Sequence, residues 1–198
     1  EAQKKLNLPR NPRDYTSIAV TTDDSNDEIV YASSMGDGVI QYKNGTPVQS
    51  YNEKNAFKET AGGYGSGYCY IDGLAFDKNG NLWLGTNVGL VKHAVLVLDK
   101  AGAWHRLDIE QLRGVYTIND ILITSTNDKW IYVPRNTPKL VMIPNSESLD
   151  EVSSYEFTTL IDTDGKELTP SNYTCVAEDK DGYIWVGTNR GAVYFTKP

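Results

Sequence analysis

Residues 79–89 read NGNLWLGTNVG and residues 181–191 read DGYIWVGTNRG. One eleven-residue phrase therefore occurs twice in a chain of 198 residues, with Trp83 and Trp185 standing 102 positions apart. Self-similarity at a fixed spacing marks a repeat architecture, and this spacing is too long for one unit, so it implies two units of about 51 residues. A worn copy then belongs midway, and NDKWIYVP at 127–134 supplies Trp130. NDEIVYASSMGDGVIQY at 26–42 supplies a fourth, with Tyr31 in the tryptophan slot and Gly38-Val39 where Gly89-Leu90 stand.

Each unit has one grammar. An apolar-alternating strand comes first (Ser17–Val20, Gly73–Phe76, Asn119–Ile123, Thr174–Ala177), then a tight turn such as Asp77-Lys78-Asn79-Gly80 or Asp179-Lys180-Asp181-Gly182. Glycine supplies the positive φ that such hairpins need. A second strand carries the tryptophan, a third is expected at Leu90–His93 and Ala192–Phe195, and a weaker fourth at Thr46–Tyr51 and Ala103–Leu107. Sustained helical periodicity is lacking; Ile109 to Leu112 suits a single helical turn.

Four antiparallel strands repeated every 40 to 55 residues predict an all-β fold, a β-propeller segment of about four four-stranded blades. The blades fall near 15–55, 66–112, 115–160 and 170–198, with 1–14 as a linker. In this scheme Tyr31, Trp83, Trp130 and Trp185 pack between neighbouring blades. Gly85-Thr86 and Gly187-Thr188 let the chain turn closely beside the next one. The last blade stops after its third strand, and residues 1–14, with two prolines, make a poor replacement. An incomplete ring is expected, with open edges that another part of a longer chain, a partner or a second copy would cover.

Composition narrows the function. Net charge is −7, and no basic cluster exceeds Lys4-Lys5 with Arg10 and Arg13, which argues against nucleic acid or anionic lipid as partner. No apolar run approaches the roughly 20 residues of a membrane helix. Glu1-Ala2-Gln3-Lys4-Lys5 lacks the start of a signal peptide, so residue 1 reads as a mature terminus or a boundary within a longer chain. Cys69 and Cys175 are too few for a disulfide framework or a zinc site and read as unpaired buried residues. The 13 Tyr and 4 Trp beside 17 Gly suit a turn-rich β domain.

Catalytic patterns are weak. His93 and His105 fall on expected strands with no Gly-x-Ser-x-Gly elbow nearby, and no acid/base pair or metal cluster is discernible. The Asp-x-Asn-Gly turns, like Asp162–Gly165, resemble half calcium loops but lack the late Glu, so they read as hairpins. No cofactor or metal is expected. Gly62–Tyr68 reads as a long loop between the first two blades. With the turns between second and third strands it would place Tyr64, Tyr68, Tyr70, Asn87, Arg135, Asn136 and Arg190 on one face, a rim suited to glycan stacking or protein hot spots.

Residues 75–90, AFDKNGNLWLGTNVGL, and 176–191, VAEDKDGYIWVGTNRG, resemble two-component regulator propeller repeats. The succession of blades, from Tyr15–Val20 through LAFDKNGNLWLGT and KWIYVPRN to LTPSNYTCVAEDKDGYIWVGTNRG, resembles the propeller region of PorZ-type proteins of the type IX secretion apparatus. Ser33-Ser34 and Tyr132-Val133 depart from Gly-Thr in two blades. The resemblance implies a non-enzymatic binding module, in the periplasm or at the outer-membrane surface. Its expected partners are other propeller blades or domains of the parent, a protein or a surface glycan. The alternative it implies is the periplasmic ligand-sensing region of a hybrid two-component sensor that recognises a carbohydrate.

Overall fold

Each sheet starts from the same kind of hairpin. The Asp77 carboxylate accepts the backbone N–H groups of Asn79 at 2.9 Å and Asn81 at 2.8 Å, tying the turn to its own flanks. Asp23 holds Ser25 and Asp27 in the same way at 2.9 and 3.0 Å, and Asp179 holds Asp181 and Tyr183 at 2.9 and 3.0 Å. In the third copy the Thr124 hydroxyl accepts the N–H of Asp128 at 3.0 Å. All these bonds span two or four residues, so the turns are set by local sequence.

The computed structural model describes residues 14–57, 68–87, 92–134, 137–161 and 164–196. A first antiparallel meander comprises β1 (Tyr15–Thr22), β2 (Glu28–Gly36), β3 (Gly38–Lys43) and β4 (Thr46–Tyr51). A second comprises β5 (Cys69–Phe76), β6 (Leu82–Asn87), β7 (Val95–Leu98) and β8 (Trp104–Leu107), and a 3-10 turn follows at Glu110–Leu112. The third comprises β9 (Asp120–Ile123), β10 (Lys129–Val133), β11 (Lys139–Ile143) and β12 (Tyr155–Glu156). A small hairpin, β13 (Leu160–Ile161) with β14 (Glu167–Leu168), leads to a three-stranded sheet of β15 (Tyr173–Glu178), β16 (Ile184–Thr188) and β17 (Gly191–Phe195). The fold is all-β, and these meanders are propeller blades: the first strands β1, β5, β9 and β15 pack against one another in succession. The first two blades are also joined, because β2 pairs with β5 through Met35 with Tyr70 and Gly36 with Cys69.

Three expectations need correction. The third strand of the second blade is β7, and Lys92 and His93 lie outside any strand; Val95 to Leu98 are all buried, so burial on both faces selects that run. Cys69 is buried, but Cys175 is exposed, and neither forms a disulfide. Tyr31 is not the counterpart of the tryptophans when residues are counted from the hairpin. Ile29 pairs with Thr21 as Trp83 pairs with Ala75, Trp130 with Leu122 and Trp185 with Ala177. Tyr31 instead stands level with Gly85, Tyr132 and Gly187. The cause is the length of β2, which carries two more residues between its hairpin and its glycine turn than β16 does.

Packing between blades follows these positions. Trp83, 2% exposed, lies in a cluster with Ile121, Ile131 and Val141 of the third blade. Trp130 stacks on Phe157 at 5.1 Å and meets Phe195 of the last sheet at 5.1 Å. Tyr31 reaches Phe76 of the second blade at 5.8 Å. Trp185 differs, being 41% exposed and stacked on Tyr194 of its own sheet. Gly85 is where the third blade comes nearest: a Cβ there would sit 2.6 Å from Ile118 Cγ2. The hairpins are laced as well, since Lys78 N–H donates to Asn127 at 2.9 Å, and Ser125 N–H donates to Glu178 at 2.6 Å.

Candidate functional site

The structure describes four of the rim residues singled out in the sequence, Tyr68, Tyr70, Asn87 and Arg190. Tyr64, Arg135 and Asn136 lie outside the described residues. Tyr68 lies against Gly36, whose Cβ would be 3.1 Å from its ring. Tyr70 stands between Met35 on one side and Asn87 on the other. Tyr68, Tyr70 and the 43%-exposed Met35 thus make a patch where the first two blades join. Arg190 is exposed on the turn between β16 and β17, with its N–H donating to the Thr188 hydroxyl at 3.0 Å.

Asn87 is not a surface residue. It is fully buried, and its Oδ1 accepts the N–H of Ile118 at 2.6 Å, fastening the second blade to the chain entering the third. Every residue of β6 is buried, so the strand carries its last residue into the interior. Thr86 also faces inward, donating to Ala94 O at 3.3 Å, whereas Thr188 donates to Gly191 O at 2.8 Å in an exposed turn.

The sequence reading missed the acceptor for the tryptophans. Asp77 Oδ2 accepts the Trp83 indole N–H at 2.9 Å and the Asn81 amide at 3.0 Å, and Asp179 Oδ2 accepts the Trp185 N–H at 2.7 Å. That bond, foremost, holds the Asp179 carboxyl below its ordinary range. An Asp six residues before each consensus Trp was visible as a pattern, but hairpin and indole contact look alike in sequence. Lys129, 1% exposed, lies 4.9 Å above the Trp83 ring and 4.0 Å from Asp77 Oδ2, and donates to Asn127 O at 2.7 Å. Burial pushes its ammonium down from the usual lysine range. Trp130 has Thr124 in place of the Asp, and its indole N–H has no partner among the described residues.

A second unforeseen feature lies on the inner strands. Asp72 of β5 and Asp120 of β9 are both pushed above the ordinary carboxyl value, in each case first by burial. Asp120 raises Asp72 further, while Asp72 accepts the N–H of Gly73 at 3.0 Å and Asp120 that of Ile121 at 2.9 Å. A raised carboxyl is less readily ionised folded than unfolded, so this pair costs stability above its folded pKa. The cost vanishes as pH falls toward 3.8. Asp23, Asp27, Asp99, Asp108 and Asp179 are lowered, and their contribution is lost only below that value. Thermal unfolding followed by circular dichroism should therefore show Tm rising as the pH is lowered from neutral toward the ordinary carboxyl value of 3.8, then dropping in stronger acid. Asp72→Asn and Asp120→Asn should each raise Tm at neutral pH and flatten that rise; an unchanged slope in both would refute the assignment.

No group of three or more His, Cys, Asp or Glu able to hold a metal occurs among the described residues. His105 and Asp99, both half-buried, pair at 2.8 Å. No helix among the described residues is long and apolar enough to cross a membrane.

Comparison with known proteins accords with this architecture. Residues 64–88 and 167–190 match the family described as the two component regulator propeller. No curated protein matches the chain. PorZ of Porphyromonas gingivalis, described as an essential bacterial surface component of the type-IX secretion system, is similar with a TM-score of 0.79 at 18% identity, over 98% of this chain and 26% of PorZ. The extracellular domain of a hybrid two component system from B. thetaiotaomicron gives 0.60 at 15% identity, over 90% of this chain and 22% of that one. A chain described as a 6-phosphogluconolactonase from Bacteroides uniformis gives 0.55 at 9% identity, over 91% of this chain and 50% of that one. The chain spans about a quarter of the first two relatives, and identities this low carry the fold alone. It is a chain of β-propeller blades with two segments that match the two component regulator propeller family.

Proposed function

We propose that the chain acts by binding rather than by catalysis, as an interaction module within a larger extracytoplasmic bacterial propeller protein similar to PorZ. The observation that carries this reading is the match to PorZ over 98% of the chain at a TM-score of 0.79. Its partner is a protein or a surface polysaccharide, met through the Tyr68–Tyr70 patch with Tyr64, Arg135, Asn136 and Arg190 contributing. Tyrosine offers large contact area with few rotatable bonds, and arginine a planar group that stacks and donates hydrogen bonds, which suits such a surface. Biolayer interferometry on the immobilised chain, with purified outer-membrane polysaccharide and outer-membrane protein of a Bacteroides-type bacterium as analytes, tests it. Replacing Tyr64, Tyr68 and Arg190 together by Ala should weaken binding at least tenfold, an aggregate of about 1.4 kcal/mol. Binding unchanged in the triple variant removes this face.

The extracellular domain of the hybrid two component system supports a second reading, a ligand-sensing propeller whose blade packing shifts when a carbohydrate binds. Flanking sequence separates the two. A histidine-kinase helix pair downstream favours the sensor, and a secretion-sorting domain favours the PorZ-like module.

A further inference from the structure

The register of Ile29 has a consequence at the boundary between the first two blades. Where Trp83 and Trp130 fill the space toward the next blade, the first blade has only Ile29, and a cleft of about 650 Å³ opens there. Its walls include Ile29, Tyr31, Tyr51, Phe76 and Leu82. Leu82 holds the place that Lys129 holds above Trp83, one residue before each second-strand position. Ile29, Tyr31 and Leu82 are themselves buried, so the open apolar wall of the cleft is that of the half-buried Tyr51 and Phe76.

The polar end of the slot is also in place. Asp23 grips its own hairpin through Oδ1, as Asp77 and Asp179 do. Its Oδ2, the atom that in those two accepts the indole N–H, accepts Lys43 Nζ at 2.7 Å and no other donor among the described residues. A carboxylate oxygen has room for a second donor. The Lys43 bond keeps Asp23 below its ordinary range, so it is ionised at neutral pH. Across the mouth runs one ion pair, Lys100 with Asp24 at 3.6 Å, whose side chains are both largely exposed. Pairs of that kind hold weakly and open at little cost.

We propose that this cleft is a binding site for an indole ring, supplied by a free indole or by the tryptophan of a peptide, with its N–H directed to Asp23 Oδ2. The cleft and the Tyr68–Tyr70 patch lie at opposite ends of β2, so the site stands apart from the surface reading above and fails or succeeds separately. A planar ring of this kind covers the half-buried Tyr51 and Phe76 while its one donor meets a charged acceptor. Its size suits the task, since ligand clefts run from about 300 to 1,000 Å³.

The test is a titration of the full chain, labelled at isoleucine δ1 methyls, with 5-fluoroindole and with N-acetyltryptophanamide, read by fluorine and methyl NMR. Saturable binding that shifts the Ile29 methyl is expected. Ile29→Trp, which supplies the ring from the chain itself, should weaken it at least tenfold while holding or raising Tm. 1-Methylindole, which has no N–H, should bind several-fold more weakly than indole. Tighter binding of the amide than of indole would assign the ring to a peptide partner, and equal binding to the free ring. No saturation by either probe up to about 10 mM, an unmoved Ile29 methyl, unaltered binding in a folded Ile29→Trp, or equal affinity for 1-methylindole would each overturn the proposal. Should Ile29→Trp not fold, the Ile29 methyl shift in the natural chain decides alone.

Discussion

Asp77→Ala should lower Tm by roughly 10 °C, while Asp179→Ala, the same change in the other consensus copy, should move it by no more than about 3 °C. The two carboxylates make the same bonds to the turn and to the indole six residues on. What differs is their surroundings. Asp77, Trp83 and Lys129 are all buried, so removing the carboxylate strands an indole N–H and an ammonium away from water. Breaking a buried charge pair from one side costs about 3 to 5 kcal/mol. Around Asp179 the exposed Trp185 can exchange its lost bond for one to water. Thermal denaturation of both variants, followed in the near ultraviolet where the tryptophans report, measures the contrast. Equal losses in the two would show that the Asp–Trp bond itself, and not its burial, sets the cost. The double change Asp77→Ala with Lys129→Met should recover a good part of the loss, since no charge is then left unpaired.

Gly38→Ala is expected to be the most damaging single-methyl change among the described glycines. Gly38 has φ of +80°, and a Cβ there would lie 2.1 Å from the Tyr51 carbonyl oxygen. The left-handed conformation costs a non-glycine residue about 1 to 2 kcal/mol, and the clash is with backbone, which cannot rotate away. Relief requires β3 and β4 to part, which adds roughly 1 to 3 kcal/mol. Gly187→Ala is the natural contrast, because its Cβ would meet the Cys175 and Thr174 side-chain tips. These can swing aside on an exposed strand. Urea unfolding should therefore place the midpoint of Gly38→Ala far below that of Gly187→Ala. Similar midpoints would mean that the turn after β2 adjusts without loss.

Much of the architecture was legible in the chain because it is encoded in neighbours. An Asp or Thr at the start of each hairpin, a glycine turn and an alternating strand are interactions over two to six residues, and their recurrence marked the blades. The third strand of the second blade escaped because Leu90–His93 and Val95–Leu98 are both plausible strands taken alone. Burial on both faces, a property of the assembled sheets, chose the second. The slot of Tyr31 was misjudged for a related reason: alignment from the glycine turn ignored two extra residues in β2, which pairing with β1 exposes. Asn87 looked like a rim residue because Thr-Asn-Val-Gly resembles a surface turn, yet the third blade closes over it.

What the sequence determined by itself, then, was an all-β chain of repeated hairpins and the residues that start each of them. Only the tertiary structure decided which of those equivalent residues are buried. Trp83 and Trp185 share a motif and a hydrogen bond, but the third blade lies over Trp83, and nothing among the described residues lies over Trp185 to the same degree. Tertiary contact likewise brought Lys129 over an indole 46 residues away, set Asp72 beside Asp120, and left a cleft at Ile29. Hairpins follow from short-range bonds. Burial, charge pairing and cavities come from where distant hairpins meet, and one blade's sequence carries no information about its neighbour's surface.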